Sequence, residues 1–244
     1  MVSFTFARMT IEEIQNTNFA EGAVLLIDKP LEWTSFDAVR KVRYLVKTKK
    51  VGHAGTLDPL ATGLLIICTG KFTKKINEYM AQEKEYTGTF TLGATTPTYD
   101  LESVSENFKP YKHLTEEEIG AATQDFIGEI DQAPPIHSAI KKDGKRVYEL
   151  ARRGVNVKLE PRKITIKEFE VDASALPLVK FRVVCSTGTY IRSLANDFGE
   201  ALGCGAYLSS LCRTRIGDFL LEDAFSIADF EKAIRERDQS RSED

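Results

Sequence analysis

Residues 52–63 form a glycine-rich segment that holds a histidine and a single carboxylate side chain between two apolar runs. Glycine allows sharp turns and a close approach to a ligand, because it has no Cβ atom. Pro59 fixes its own φ angle and favours an extended backbone at Asp58. Asp58 is therefore a candidate for chemistry on a stiffened loop. The alternative is an Asp-Pro turn that caps the next element.

The charge distribution points to an anionic partner, although the net charge of −3 by itself argues against nucleic acid. Residues 39–50 and 141–153 hold six basic residues each, while acidic residues concentrate at 116–118 and from 218 to 244. This asymmetry predicts one positive face on an acidic body. A solvated helix face explains either run alone, whereas two runs together favour a phosphate-binding groove.

The cysteines and the N-terminus exclude several classes of protein. No CxxC spacing is present, so the sequence indicates neither a zinc site nor a disulfide framework. The four cysteines lie mostly in apolar context and are predicted to be small buried residues: Cys68, Cys185, Cys204 and Cys212. Residues 1–10 lack the features of a secretory signal, and no apolar run reaches transmembrane length. The chain is therefore predicted to be cytoplasmic.

Hydrophobic patterns predict a mixed α/β domain around a large sheet. The predicted strands cover 23–28, 64–68, 86–92, 164–171, 178–186 and 207–216. The predicted helices cover 72–80, 116–126, 190–202 and 227–234, with a further helix after Thr34 or Ser35 that buries Phe36, Val39, Val42 and Val46. Residues 1–21 are predicted to form an N-terminal helix or arm, with Ile11, Ile14 and Phe19 as its few apolar contacts, and 236–244 a charged tail. Residues 131–154 are predicted to be a protruding insertion whose second half is helical.

Several short motifs, in order along nearly the whole chain, resemble the tRNA pseudouridine synthase B (TruB) family. They are Lys29-Pro30, residues 52–63, Tyr86, Gln132-Ala133-Pro134-Pro135, Gly188-Thr189-Tyr190-Ile191-Arg192 and Leu202-Gly203-Cys204-Gly205-Ala206. The resemblance runs from about residue 22 to residue 234. Each motif alone is weak, but their joint order and spacing are specific.

The resemblance implies an α+β pseudouridine synthase fold, with a mainly antiparallel mixed sheet flanked by helices and one catalytic domain over 22–235. Residues 131–154 would be the thumb that grips RNA. The implied reaction isomerises uridine-55 in the tRNA T-loop to pseudouridine by base flipping, without a metal or an organic cofactor. Attack at the sugar C1′, attack at the base C6 and proton abstraction at C2′ all remain open.

The resemblance also assigns roles to three residues that would surround the reacting nucleoside. Asp58 matches the catalytic aspartate, and Arg192 matches the arginine that pairs with it. A guanidinium would compensate an ionised acid in a dry pocket. Tyr86 matches the aromatic side chain that stacks on the target base. Without the resemblance, Arg192 would be an exposed residue at a helix start and Tyr86 an ordinary residue of the sheet core.

Further positions are implied to bind the RNA. His53 would hold the flipped nucleotide without proton chemistry, since a histidine between glycines is otherwise a turn residue. Tyr190 matches a second active-site tyrosine, Leu211 matches an apolar wall of the pocket and Lys29 matches a lysine that lines the pocket. Lys141 and Arg152 are two cations of the thumb. Tyr190 and Leu211 would otherwise be ordinary core residues.

The sequence departs from the family pattern at two places. Ala54 stands where threonine is usual, which removes a hydroxyl contact with RNA. The chain ends at Asp244 without a candidate for a C-terminal PUA-type domain, so we expect a monomer that needs no obligate protein partner and binds the T-arm stem-loop. Two other functions compete with this one: a tRNA-folding chaperone, and an aspartate-nucleophile hydrolase, for which the sequence lacks a second carboxylate at a recognisable spacing.

Overall fold

A computed structural model describes residues 9–135, 141–142, 145–146 and 160–243. Contacts divide the chain into two compact units. The first unit comprises Met1–Tyr86 and Cys212–Asp244, and the second comprises Thr87–Leu211. Among the described residues, ten strands belong to one mixed sheet, and helices accompany the strands, which confirms the predicted fold class.

The helices and strands follow one another along the described part of the chain. In order they are α1 (Ile11–Asn16), β1 (Val24–Lys29), α2 (Ser35–Val46), β2 (Val51–His53), β3 (Ala61–Thr69), α3 (Ile76–Ala81), β4 (Lys84–Leu92), α4 (Glu116–Ala122), β5 (Gly128–Gln132), β6 (Lys141–Lys142), β7 (Lys145–Arg146), β8 (Arg162–Ala175), β9 (Leu178–Cys185), α5 (Ile191–Ala201), β10 (Ala206–Ile216), β11 (Phe219–Leu220), β12 (Phe225–Ser226) and α6 (Ile227–Glu243). Short 3₁₀ turns cover Gly70–Lys75, Thr123–Phe126 and Leu221–Asp223.

In the first unit, β1 pairs antiparallel with β3 and parallel with β12. Helices α1, α2 and α6 contribute buried side chains to one core cluster with β1 and β3. Ile14 of α1 and Phe19 are part of this core, and the Phe19 ring lies edge-on to Phe230 of α6 with centroids 6.5 Å apart. The predicted N-terminal helix or arm is therefore helical over Ile11–Asn16, and Ile14 and Phe19 make apolar contacts as predicted, whereas Ile11 is exposed.

Helix α2 begins where the sequence predicts, but its buried face is rotated. Thr34 is the N-cap, and its hydroxyl and the Asp37 carboxylate accept reciprocal backbone hydrogen bonds. Val39, Val42 and Val46 are buried as predicted, whereas Phe36 is 59% exposed. Successive helical residues are about 100° apart, so the buried stripe that includes Ser35 turns Phe36 towards solvent.

Helix α6 continues well beyond the predicted end at residue 234. It extends to Glu243, so the predicted charged tail from 236 is helical over 236–243. Ion pairs help to fix this helix: Glu231 contacts Lys41 and Arg235 at 2.7 Å each, and Asp238 contacts Lys47 at 2.7 Å. High charge alone therefore does not end helix α6, because its charged side chains form ion pairs with Lys41 and Lys47 and with each other one turn apart.

In the second unit, β8 pairs antiparallel with β5 and with β9 around an aromatic core. The Phe90 and Phe181 rings stack with centroids 4.1 Å apart. Strand β5 was not predicted, because Ile130 is its only apolar side chain. The predicted insertion thus starts too early, since residues 131 and 132 belong to the sheet. Strands β6 and β7 pair within it, and its predicted helical half lies outside the described residues.

The cysteines agree with the prediction that most of them are buried. Cys68, Cys185 and Cys204 are buried and Cys212 is half-buried, all as free thiols. Within residues 9–135 and 160–243, none of the helices has both the length and the apolar character that a membrane crossing requires.

Candidate active site

The Asp58 loop, residues 54–60, connects β2 to β3. It is shorter than the predicted segment 52–63, because residues 52–53 and 61–63 are paired in the sheet. Gly63 has φ +100°, and a Cβ atom there would lie 2.4 Å from the Arg213 carbonyl oxygen. Only glycine fits this position, so the glycine pattern reflects close strand packing at the end of the loop.

The backbone on both sides of Asp58 is fixed by hydrogen bonds. The Ser35 hydroxyl accepts from the Leu57 N–H at 2.8 Å and lies 3.1 Å from the Leu57 carbonyl, to which it donates. The Pro59 carbonyl accepts from the Glu32 N–H at 2.9 Å. The Asp58 carbonyl accepts from the Ala61 N–H at 3.1 Å, so the Asp-Pro turn exists as well. The Asp58 residue itself stays half-buried on this fixed turn.

Lys29 is fully buried beneath the loop. Its ammonium donates to the carbonyls of Pro30 at 2.9 Å, Trp33 at 2.6 Å and Pro59 at 3.5 Å. Burial lowers the pKa of Lys29 to about 8, while the nearby Asp58 carboxylate acts in the opposite direction. Lys29 therefore supports the loop through its hydrogen bonds and also places a positive charge near Asp58.

The lowered pKa of Lys29 predicts a pH-dependent stability. The folded protein binds fewer protons than the unfolded chain between pH 8 and the usual lysine value of 10.5, so stability rises with pH in this window. Relative to Lys29→Met, we expect the unfolding free energy of the wild type to increase by about 3 kcal/mol from pH 7.5 to pH 10.5. Urea titrations across this range measure it; a constant or decreasing difference would contradict the prediction.

Arg213 of β10 is a second buried cation, which the sequence analysis did not single out. It is 1% exposed, and it donates from Nε to the Leu64 carbonyl at 2.8 Å and from Nη2 to the Gly55 carbonyl at 3.2 Å. It thereby links the start of the Asp58 loop to β3. An arginine in a strand pattern gives no sign of such burial, so the sequence held no signal for it.

The surroundings of His53, at the end of β2, favour the neutral imidazole. Burial is the main cause that lowers its pKa below the usual 6.5, a backbone hydrogen bond with Gly55 opposes this, and the Arg213 charge adds to it. Its Nδ1 atom is buried and has no hydrogen-bond partner among the described residues. A neutral side chain with an unused ring nitrogen fits the predicted contact with RNA, which stays a prediction.

Tyr86 lies in the first half of β4 and is 8% exposed. The strand positions before it are fixed by Arg215, whose Nη2 lies 3.0 Å from Glu83 and whose Nε lies 3.9 Å from Glu85. The Thr214 hydroxyl also donates to Glu85 at 2.8 Å. Tyr86 is thus part of a well-fixed strand core, and its stacking on a base stays a prediction.

In the second unit, Arg192 lies in the first turn of α5 and is only 6% exposed, so the alternative of an exposed helix-start residue is wrong. Its Nη1 atom lies 3.6 Å from the Asp100 carboxylate and donates to the Thr98 carbonyl at 3.4 Å. Asp100 is itself 4% exposed, and its carboxylate accepts from the Glu102 N–H at 3.0 Å. Asp100 was missed by the sequence analysis, and the pairing of Arg192 with Asp58 stays a prediction.

The Gln132-Ala133 motif fixes the start of α5. The Gln132 side-chain amide accepts from the Tyr190 N–H at 2.8 Å and donates to the Tyr190 carbonyl at 3.1 Å. The Ser193 hydroxyl donates to the Ala133 carbonyl at 2.7 Å. Tyr190 and the β10 residue Leu211 are both half-buried. These bonds connect two motifs that are distant in the chain, and each completes the hydrogen bonds of the other.

The structure therefore gathers the predicted residues into two groups, one in each unit. Lys29, His53 and Asp58 share one loop and its supports, while Tyr190 and Arg192 share the start of one helix. Lys141 lies in β6, and nothing further is described of its side chain; Arg152 lies outside the described residues.

The family models and the similar proteins all indicate the same family. Residues 43–191 match the model described as TruB family pseudouridylate synthase (N terminal domain), and residues 192–244 match the tRNA pseudouridylate synthase B C-terminal domain. A protein named tRNA pseudouridine synthase B from Flavobacterium johnsoniae is 57% identical over 234 residues, which cover 93% of this chain and 100% of that protein. The protein of the same name from Bacteroides fragilis is 52% identical over 91% of this chain and 97% of its own length.

Solved structures share the fold. A chain in the crystal structure of a Cbf5-Nop10-Gar1 complex matches with a TM-score of 0.68 and 30% identity, over 92% of this chain and 56% of that one. A chain of an H/ACA RNP bound to a substrate RNA containing 2′-deoxyuridine gives a TM-score of 0.66 at 27% identity, over 93% and 57%. This chain thus spans little more than half the length of those two solved chains.

Proposed function

This chain belongs to the TruB family of tRNA pseudouridine synthases, and from that premise we propose that it isomerises uridine-55 in the tRNA T-loop to pseudouridine. The substrate would be the T-arm stem-loop. The uracil would be detached from the ribose, turned and rejoined through carbon, which needs no net oxidant, reductant or water.

The observation that carries the proposal is the placement of Asp58. Asp58 is half-buried on a turn whose backbone is fixed by hydrogen bonds at Leu57, Asp58 and Pro59. A pre-positioned nucleophile or base loses little freedom on reaction, which is a large part of what an enzyme contributes. Asp58 would act on the nucleoside as nucleophile or base.

The other residues would prepare the nucleoside for Asp58. Tyr86 would stack on the target base, and Arg192 would compensate the Asp58 charge once the pocket is dry. His53 would hold the extruded nucleotide as a neutral contact, and Tyr190 and Leu211 would complete the pocket, while Lys29 would support the Asp58 loop from beneath. Extruding a nucleotide costs a few kcal/mol, which these contacts would offset. Lys141 and Arg152 would contact RNA phosphates.

We also propose that the chain works in the cytoplasm as a monomer, without an obligate protein partner or a cofactor. The similarity to relatives named tRNA pseudouridine synthase B supports the location, since a tRNA substrate is met inside the cell. The reaction supports the absence of a cofactor, since it is an isomerisation of one nucleoside. Sedimentation at working concentration, with and without stem-loop RNA, tests the oligomeric state; a dimer that is needed for activity would overturn it.

The test of the proposed function uses a T-arm stem-loop whose only tritium is at C5 of uridine-55. Isomerisation releases this tritium to water, because C5 becomes the new glycosidic carbon. We expect near-stoichiometric release by the purified protein alone, and pseudouridine in the digested product. A second RNA with the label in a stem uridine should release none.

Three other results would each overturn the proposal. Tight binding without tritium release would indicate a chaperone. Free uracil with an abasic site in the RNA would indicate a hydrolase. Release from the stem label at an equal rate would indicate a synthase for another position.

A further inference from the structure

Arg213 is a buried cation that forms no ion pair with any residue that the structure describes. It has the largest side chain among the described residues that are less than 2% exposed. Arg192, the other buried arginine of the described chain, has the Asp100 carboxylate at 3.6 Å. A charge that is removed from water is costly unless it is paired or hydrogen-bonded. The burial of Arg213 therefore indicates a role other than charge pairing.

Arg213 contacts the chain on both sides of the Asp58 loop. Its Nη2 atom donates to the Gly55 carbonyl at 3.2 Å, at the start of the loop. Its backbone packs against β3 just after the loop, because a Cβ atom at Gly63 would lie 2.4 Å from the Arg213 carbonyl oxygen and 2.8 Å from its nitrogen. Its Nε atom also donates to the Leu64 carbonyl of β3 at 2.8 Å. A single residue thus joins the entry and the exit of the loop that carries Asp58.

The entry of the loop is fixed by hydrogen bonds at two successive residues. The Ala54 N–H donates to the Ile66 carbonyl of β3 at 2.9 Å, and the next carbonyl, of Gly55, accepts from Arg213. Gly55 has φ +95°, a conformation that side chains with a Cβ atom rarely adopt. A Cβ atom there would still lie 3.6 Å from Nη1, an ordinary contact. Glycine is therefore needed for this turn of the backbone and not for room beside the guanidinium.

Two buried cations hydrogen-bond to the loop, one before Asp58 and one after it. Arg213 binds the Gly55 carbonyl, and the Lys29 ammonium lies 3.5 Å from the Pro59 carbonyl. Burial lowers the pKa of Lys29 to about 8, the Asp58 carboxylate opposes this, and the Arg213 charge adds to it. The backbone on each side of Asp58 is therefore held by a buried positive charge.

We propose that Arg213 is a positioning residue for the reaction, which holds the Asp58 carboxylate in place by joining the two sides of its loop. This inference rests on the proposed function and deepens it by naming a residue that acts through Asp58. The planar guanidinium suits this task, because its fixed donors reach two carbonyls at once. A displacement of about 1 Å at a reacting group can reduce a rate by about 10²-fold, so a loosened loop should slow the reaction strongly.

The test compares Arg213→Met and Arg213→Lys in single-turnover tritium release with saturating enzyme. Methionine keeps the length and removes the charge and both hydrogen bonds, so we expect a rate about 10²-fold below the wild type. Lysine keeps the charge but has one nitrogen in place of the fork, so we expect a loss of about tenfold. The Kd for the stem-loop should stay within about threefold for both, because a side chain buried this deeply does not touch RNA.

The lysine variant also carries the test if Arg213→Met does not fold. Rates within threefold of the wild type for every folded Arg213 variant would overturn the proposal. An unchanged single-turnover rate with tenfold weaker RNA binding would overturn it too, because that result would place Arg213 in binding and not in the positioning of Asp58.

The matched control is Arg237→Met, in helix α6 of the same unit. The Arg237 guanidinium lies 5.1 Å from the centroid of the buried Phe19 ring, so this change also removes a half-buried arginine that packs on the core. Its rate per folded molecule should stay within about twofold of the wild type. An equal loss of rate in Arg237→Met and Arg213→Met would overturn the proposal, because general destabilisation would then explain both.

Hydrogen exchange reports on the loop without any RNA. The Ala54 and Leu57 amides, which donate to the Ile66 carbonyl and the Ser35 hydroxyl, should exchange at least about tenfold faster in Arg213→Met than in Arg237→Met. Equal exchange in the two variants would overturn the proposal. If the wild type released no tritium, the proposed function would fail, while the exchange rates would still show whether Arg213 holds the loop.

Discussion

Replacing Asp58 with asparagine is expected to reduce tritium release from the labelled stem-loop by at least about 10³-fold. The amide has nearly the same size, and the hydrogen bond from the Ala61 N–H to the backbone carbonyl of this residue does not depend on the side chain. It is neither a nucleophile nor a base at neutral pH, so the chemical step alone is removed. Single-turnover rates with saturating enzyme measure this effect without interference from binding.

The matched control for Asp58→Asn is Asp218→Asn. Asp218 lies exposed in the turn between β10 and β11 of the same unit, and its change also removes one negative charge. Its rate should stay within twofold of the wild type. Asp58→Asn should still bind the stem-loop, because it loses only a negative charge beside an anionic ligand. A rate for Asp58→Asn within tenfold of the control would remove Asp58 from the chemistry.

Local signals in the sequence predicted the helix starts and the central strands well. Thr34 and Thr115 cap helices through reciprocal bonds with the acidic residue three positions later, and such motifs are complete within four residues. The apolar runs at 23–28 and 64–68 became β1 and β3. Strands β2 and β5 were missed, because they are short and carry few apolar side chains, so only their pairing partners define them.

The supports of the candidate site could not be predicted, because they join residues far apart in the chain. Arg213 reaches the Leu64 carbonyl across 149 positions, and Arg192 reaches the Thr98 carbonyl across 94. No periodicity links such pairs. The sequence likewise shows how many cations a run contains but not which of them form ion pairs. Residues 39–50 therefore have fewer unpaired cations than their composition suggests, because three of the six form ion pairs.

The second large effect is expected at the buried Arg192–Asp100 pair. Asp100→Asn keeps an oxygen for the Glu102 N–H but removes the negative charge 3.6 Å from the guanidinium. Removing one partner of a buried ion pair weakens the compensation of the other buried charge, which costs up to about 3–5 kcal/mol. Urea unfolding should therefore show a loss of more than about 1 kcal/mol, largest if Asp100 alone compensates Arg192, whereas the exposed control Asp218→Asn should change stability by less than about 0.5 kcal/mol.

The same experiment tests the predicted pairing of Arg192 with Asp58. If both carboxylates compensate one guanidinium, each single variant keeps one of them, and the double variant Asp58→Asn/Asp100→Asn keeps neither. Its loss of unfolding free energy should then exceed the sum of the single losses by about 1 kcal/mol or more, a coupling typical of groups in one network. Additive losses would show that Asp58 does not share Arg192 with Asp100 in the free protein. In that case the guanidinium would have to serve Asp58 only after RNA has bound, and the coupling should appear when the cycle is repeated with stem-loop present.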